Sequence, residues 1–160
     1  MARSLGAVFV AGASLTLTWV SLPHGGTAAG DWWIRLAAVV GLVCAAGLLS
    51  GLGDRVPRVW YHLVIGGIQI FVTVAYVAGH NYDGELLLFY TWVTPYAALF
   101  FSRRAAVAHV AWVALLLAAG LGLHDVPLRR AAAVWLLTIG TVAIVATLVA
   151  VVAASMRSRD

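Results

Sequence analysis

LLLFYTWVTPYAALFFSRR, Leu86 to Arg104, decides the reading of this chain. Its apolar part, Leu86 to Phe101, is 16 residues long, carries Tyr90, Thr91, Trp92, Thr94, Pro95 and Tyr96 in its middle, and runs into the pair Arg103 and Arg104. At about 1.5 Å of rise per residue, a helix over this part covers roughly 24 Å, just short of a hydrocarbon core of about 30 Å. Such a segment crosses a bilayer only without slack. Its polar-aromatic middle is poorly suited to facing lipid on all sides, so the other apolar segments are expected to pack around it.

The rest of the chain supplies those segments. Of its 160 residues, 63% are hydrophobic and only 10% charged, with a mean hydropathy of +0.98, which excludes an ordinary soluble domain and places the chain in the membrane class. The net charge of +4 is carried by arginines in short clusters between apolar runs, with no lysine. That is a topological pattern, and no nucleic-acid partner is expected. Cys44 is the only cysteine and lies inside an apolar run, so an internal disulfide and a several-cysteine zinc site are excluded.

Apolar runs predict an all-α integral membrane protein, a bundle of six transmembrane helices with short loops. The spans are residues 5–22, 32–52, 60–79, 86–101, 105–122 and 131–155, forming one domain over 1–155, and 156–160 is a cytoplasmic tail or the start of a linker. The first run is at the long end for a signal-peptide core, contains Trp19 and is separated from the small residues of GTAAG by Pro23 and His24, so an uncleaved first span is preferred over a signal peptide. Trp32 and Trp33 suit the headgroup level at the start of span two. Gly41, Ala45, Gly47 and Gly51 make small-xxx-small spacings that let helices approach closely.

Six spans put both termini on one side. Arg3, Arg55, Arg58, Arg103, Arg104, Arg157 and Arg159 share that side against Arg35, Arg129 and Arg130, and this bias predicts cytoplasmic termini in an inner membrane.

Three constellations carry possible chemistry. In span three His62, Gly66, Gln69, Thr73, Tyr76 and His80 recur at spacings of 4, 3, 4, 3 and 4, which places them on one helix face. Gln69, Thr73 and Tyr76, with Tyr90, Trp92, Thr94 and Tyr96 of span four, are the candidate lining of a pocket for a small or amphipathic ligand of unknown identity, loosened at Pro95. Interhelical hydrogen bonding and aromatic packing explain the same residues without a ligand.

His62 and His109 lie at similar depth inside arginine clusters and are a candidate haem pair, although bonding to neighbouring helices is the preferred reading. His24, His80, Asp83, His124 and Asp125, with Asp31, Asn81 and Glu85, fall in the outer loops as candidate ligands of a divalent metal, without the short ligand spacing that would make the signal strong. No cofactor is expected, with haem or a divalent metal as the alternative. Walker, GxSxG, HExxH and CxxC motifs are absent, as is a carboxylate near a span's centre.

FYTWVTPYAALFFSRRAAVAHVAWVALLLAAGLGL, Phe89 to Leu123, resembles the Y-x-W-x-x-x-Y-A-A-x-F-F-S-R-R-A-A segment and the following His-containing helix of actinobacterial multi-span membrane domains. VWLLTIGTVAIVATLVAVV, Val134 to Val152, is similar to the last helix of those domains. The matching positions are Tyr90, Trp92, Tyr96, Phe101, Ser102, Arg103, Arg104, His109 and Trp135, and the likeness covers about Gly67 to Ala154.

In that family the membrane region precedes a cytoplasmic diguanylate cyclase (GGDEF) domain, often followed by an EAL phosphodiesterase domain. The resemblance therefore implies a sensory or anchoring module of cyclic-di-GMP signalling that works as a homodimer. The chain stops at Asp160 with no GGDEF or EAL sequence, so it is expected to be either a domain cut from a longer protein or a stand-alone relative, and not itself an enzyme. The alternative functions are a haem- or metal-binding membrane protein and a small-solute binding or transport protein.

Overall fold

Hydroxyls inside an apolar run can bond to carbonyls one turn back in the same helix, and several in the first helix do so. In a computed structural model, which describes residues 2–23, 25, 27–79, 85–124 and 126–157 except the side chains of 54, 58, 85 and 157, α1 spans Ala2–Ser21. Thr16, Thr18 and Ser21 donate their hydroxyl protons to the carbonyls of Gly12, Ser14 and Leu17 at 2.7, 2.9 and 2.8 Å, so these three hydroxyls are bonded within the helix.

Five more helices follow: α2 (Ala28–Leu49), α3 (Arg58–Gly79), α4 (Leu88–Phe100), α5 (Arg103–Gly122) and α6 (Leu128–Arg157). Short 3-10 turns cover Leu52–Arg55 and Glu85–Leu87, and no strand occurs among the described residues. All helices except α4 are long and apolar enough to cross a membrane. The helices cluster into two compact units, Met1–Leu86 and Leu87–Asp160.

In the first unit α2 packs against both α1 and α3. Leu5, Phe9 and Ala13 of α1, with Gly6 beside Leu5, and Ile34, Ala38 and Ala45 of α2 are buried at spacings of four or seven residues, one stripe per helix. The expected small-residue contact is therefore carried by Gly41 and Ala45. A Cβ on Gly41 would rest 3.7 Å from Ala13 Cβ, whereas one on Gly47 or Gly51 would meet nothing within 4 Å. Gly51 serves the backbone instead, since at φ 88° it turns the chain out of α2 through the left-handed region.

The second span is shifted from the expected 32–52 to Ala28–Leu49, because Thr27 caps it. The Thr27 hydroxyl accepts the Gly30 N–H at 3.1 Å and donates to the Ala78 carbonyl at 2.9 Å, so it serves the start of α2 and the end of α3 together. At the other end of this unit the Tyr61 hydroxyl donates to Gly53 O at 2.6 Å, and a Cβ on Gly53 would lie 2.8 Å from Ala2 Cβ. The start of α1 and the α2–α3 turn thus sit together.

The second unit is a bundle in which α4, α5 and α6 each contact the other two. The helix in the segment expected to be span four is shorter than 86–101: α4 has 13 residues, roughly 20 Å. It ends because Phe101 and Ser102 are extended, which lets the Ser102 hydroxyl cap α5 by accepting the Ala105 N–H at 3.3 Å. Trp135 of α6 donates its indole N–H to the Ala114 carbonyl at 2.9 Å. α6 is the longest helix at 30 residues, roughly 45 Å, longer than the hydrocarbon it would cross.

Candidate functional site

Polar side chains held inside apolar helices are the natural place to look for function in a membrane protein, because each carries a desolvation penalty that packing alone does not require. Among the described residues four are buried: Gln69, Thr73, Thr94 and His109. All four belong to constellations visible in the sequence.

The first part of the expected pocket lies on α3. Tyr61, Ile65, Gln69, Thr73 and Tyr76 are buried at spacings of four and three, with Gln69 and Ile65 at 0% exposure. Gln69, Thr73 and Tyr76 of the expected stripe therefore lie on a core face, whose first part is Tyr61 and Ile65 instead of the expected His62 and Gly66, both half-buried, while His80 lies outside the described residues. The Thr73 hydroxyl donates to Gln69 O at 2.9 Å, which satisfies it within its own helix.

The second part lies on α4 in the other unit. Tyr90 and Thr94 are both at 0% exposure, and Pro95, Tyr96, Ala97 and Ala98 are buried in an unbroken run after them. Tyr96 packs on Phe100 with ring centroids 4.4 Å apart. The helix continues through Pro95, and Thr91 donates to Leu88 O at 2.5 Å. Trp92 departs from the expectation. It is 50% exposed, because two residues of helix turn it about 200° away from Tyr90 and Thr94 alike. It belongs to the outer surface of its unit.

Of the two candidate haem ligands, His62 is in the first unit and His109 in the second. His109 is buried and lies nearly parallel to Phe101, centroids 6.1 Å apart with 17° between planes. This ring contact, which the sequence does not announce, joins the helix starting at Arg103 to the residue that ends α4.

The outer-loop candidates His24, His80, Asp83 and Asp125 lie outside the described residues, as do Asn81 and the Glu85 side chain. His124 is half-buried, its backbone N–H bonded to Leu121 O at 3.3 Å. Asp31 stands in the first turn of α2, where a carboxylate is favoured by the helix dipole. Among the described residues no group of three or more His, Cys, Asp or Glu is placed to hold a metal ion.

Two apolar grooves were not foreseen from the sequence. One, of about 400 Å³ in the first unit, is lined by Leu5, Cys44, Leu48, Trp60 and Tyr61 with Arg55 at its rim. The other, of about 540 Å³ in the second unit, is walled by Phe101, Val110 and alanines of α5 and α6, with Arg103 in its lining. The signal for the second was present as small residues recurring on α6 at Ala143, Thr147, Ala150 and Ala154.

Arg3, Arg35, Arg55, Arg103, Arg104, Arg129 and Arg130 are exposed, while Arg159 and the side chains of Arg58 and Arg157 lie outside the described residues. Comparison with known proteins adds no relative: no family model, curated protein or solved structure matches this chain.

Proposed function

We propose that the chain is a membrane-embedded sensory or anchoring module with six spans and both termini in the cytoplasm, coupled to a cytoplasmic output. The observation that carries this reading is the set of buried polar side chains, Gln69 and Thr73 in one unit and Thr94 and His109 in the other, inside predominantly apolar helices. Groups of this kind give a helix bundle alternative hydrogen-bonded arrangements, the property a two-state switch needs.

Two further features support it. α6 is long enough for its last turns to pass beyond the hydrocarbon and carry a displacement outward. The short α4 is tolerable as a span because its middle is buried against protein, so little of its length must match lipid. A GGDEF-type output and a homodimer rest on the resemblance of Phe89 to Leu123 and Val134 to Val152 alone.

The test is a chimera in which a diguanylate cyclase reporter follows the chain. Gln69→Leu and Thr94→Val, each removing one buried polar group, are expected to shift cyclic-di-GMP output at unchanged membrane abundance. Unaltered output from both variants would overturn the sensory role.

A further inference from the structure

We infer that the groove of the second unit binds one anionic phospholipid, with its phosphate on Arg103 and an acyl chain laid along α6. This requires that the helices lie in a bilayer, and nothing about sensing.

The groove exists because α6 presents Ala143, Ala146, Thr147, Ala150 and Ala154 where larger side chains would fill the space, while Phe101 and Val110 stand as walls. From Ala143 to Ala154 it follows α6 for roughly 16 Å, about half of a 30 Å hydrocarbon core and hence the depth of one leaflet. Its volume of about 540 Å³ falls within the few hundred to about a thousand Å³ of sites that enclose small ligands. Apart from Arg103 and Thr147 the lining is alanine, valine and phenylalanine, which suits an acyl chain.

Charge complementarity selects the headgroup. Arg103 is exposed and contributes to the lining, and its planar guanidinium matches a phosphate with paired hydrogen bonds. Arg103 and Arg104 also occupy the first turn of α5, the positive end of that helix, where cations are disfavoured in the absence of an anion. A headgroup with net negative charge relieves this clustering, whereas a zwitterionic one brings its own cation to it. Basic recesses between transmembrane helices are a recurrent setting for anionic lipids.

The experiment is native mass spectrometry of the full chain in detergent, titrated with phosphatidylglycerol or with phosphatidylcholine of the same acyl chains. Phosphatidylglycerol is expected to be retained preferentially, and Arg103→Gln to weaken its retention about five-fold. Arg104→Gln removes an equal charge outside the groove lining and is expected to leave the preference in place. Val107 lines the groove at 62% exposure, so Val107→Trp fills it from outside without disturbing a packed position. That variant is expected to lose the lipid with an unchanged melting curve.

Equal retention of the two lipids, or equal effects of Arg103→Gln and Arg104→Gln, would overturn the assignment. So would a Val107→Trp variant that keeps its lipid but changes from dimer to monomer, which would make a second copy of the chain the occupant.

Discussion

Gly30→Ala is expected to destabilise the first unit by about 3 kcal/mol, the upper end of overpacking penalties, read as a lowered melting temperature in detergent. A Cβ on Gly30 would lie 2.3 Å from Gly79 Cα and 2.9 Å from Gly79 N, so the clash is with backbone and cannot be relieved by a rotamer change. The Thr27 to Ala78 hydrogen bond beside it holds the two helices at that separation. Relief would require α2 and α3 to move apart where the Thr27 to Ala78 bond ties them. Gly47→Ala is the control: its Cβ meets nothing within 4 Å, and alanine gains up to about 1 kcal/mol of helix propensity. Equal melting of the two variants would mean that the Gly30 to Gly79 approach is not present in the protein.

The second large effect is expected at Tyr90. Tyr90→Ala removes one of the two largest fully buried side chains, with an expected loss of about 3 kcal/mol or more. Because the alternative environment is lipid, that loss is one of packing and polar satisfaction more than of burial from water. Trp92→Ala, at a half-exposed ring on the opposite side of α4, is expected to lose less than about 1 kcal/mol. The sequence groups both residues in one aromatic motif, and only the helix phase separates them. Comparable losses from the two, measured by thermal denaturation in the same detergent, would contradict the placement of α4.

The contrast between Tyr90 and Trp92 shows what could be read without coordinates. Length and hydropathy sufficed for an all-helical membrane-class chain, and the spacing of Gln69, Thr73 and Tyr76 identified a buried face because residues three and four apart share one side of a helix. The ends were less legible. TAAGD looks like loop because it is small and polar, yet Thr27 is a cap whose value depends on the Ala78 carbonyl it also reaches. The fourth span was overestimated because FFS continues the apolar run, while capping of α5 by Ser102 forces Phe101 out of the helix.

Long-range contacts were not legible at all. The Gly30 to Gly79 approach, the Tyr61 to Gly53 bond and the Trp135 to Ala114 bond join residues whose local patterns do not announce their partners. The grooves are of the same kind, since an alanine stripe becomes a recess only when neighbouring helices wall it.

The central claim is that these helices cross a membrane six times with the Arg55 and Arg103 turns on the cytoplasmic side, and α4 is the span on which it turns. The most direct measurement uses single cysteines in a Cys44→Ala background, at Pro57, Ser102 and Leu22, all exposed positions, labelled on intact cells with a membrane-impermeant maleimide. The account predicts labelling at position 22 and protection at 57 and 102 until the cells are opened. Labelling at 102 with protection at 57 would show that α4 does not cross, and would contradict the account.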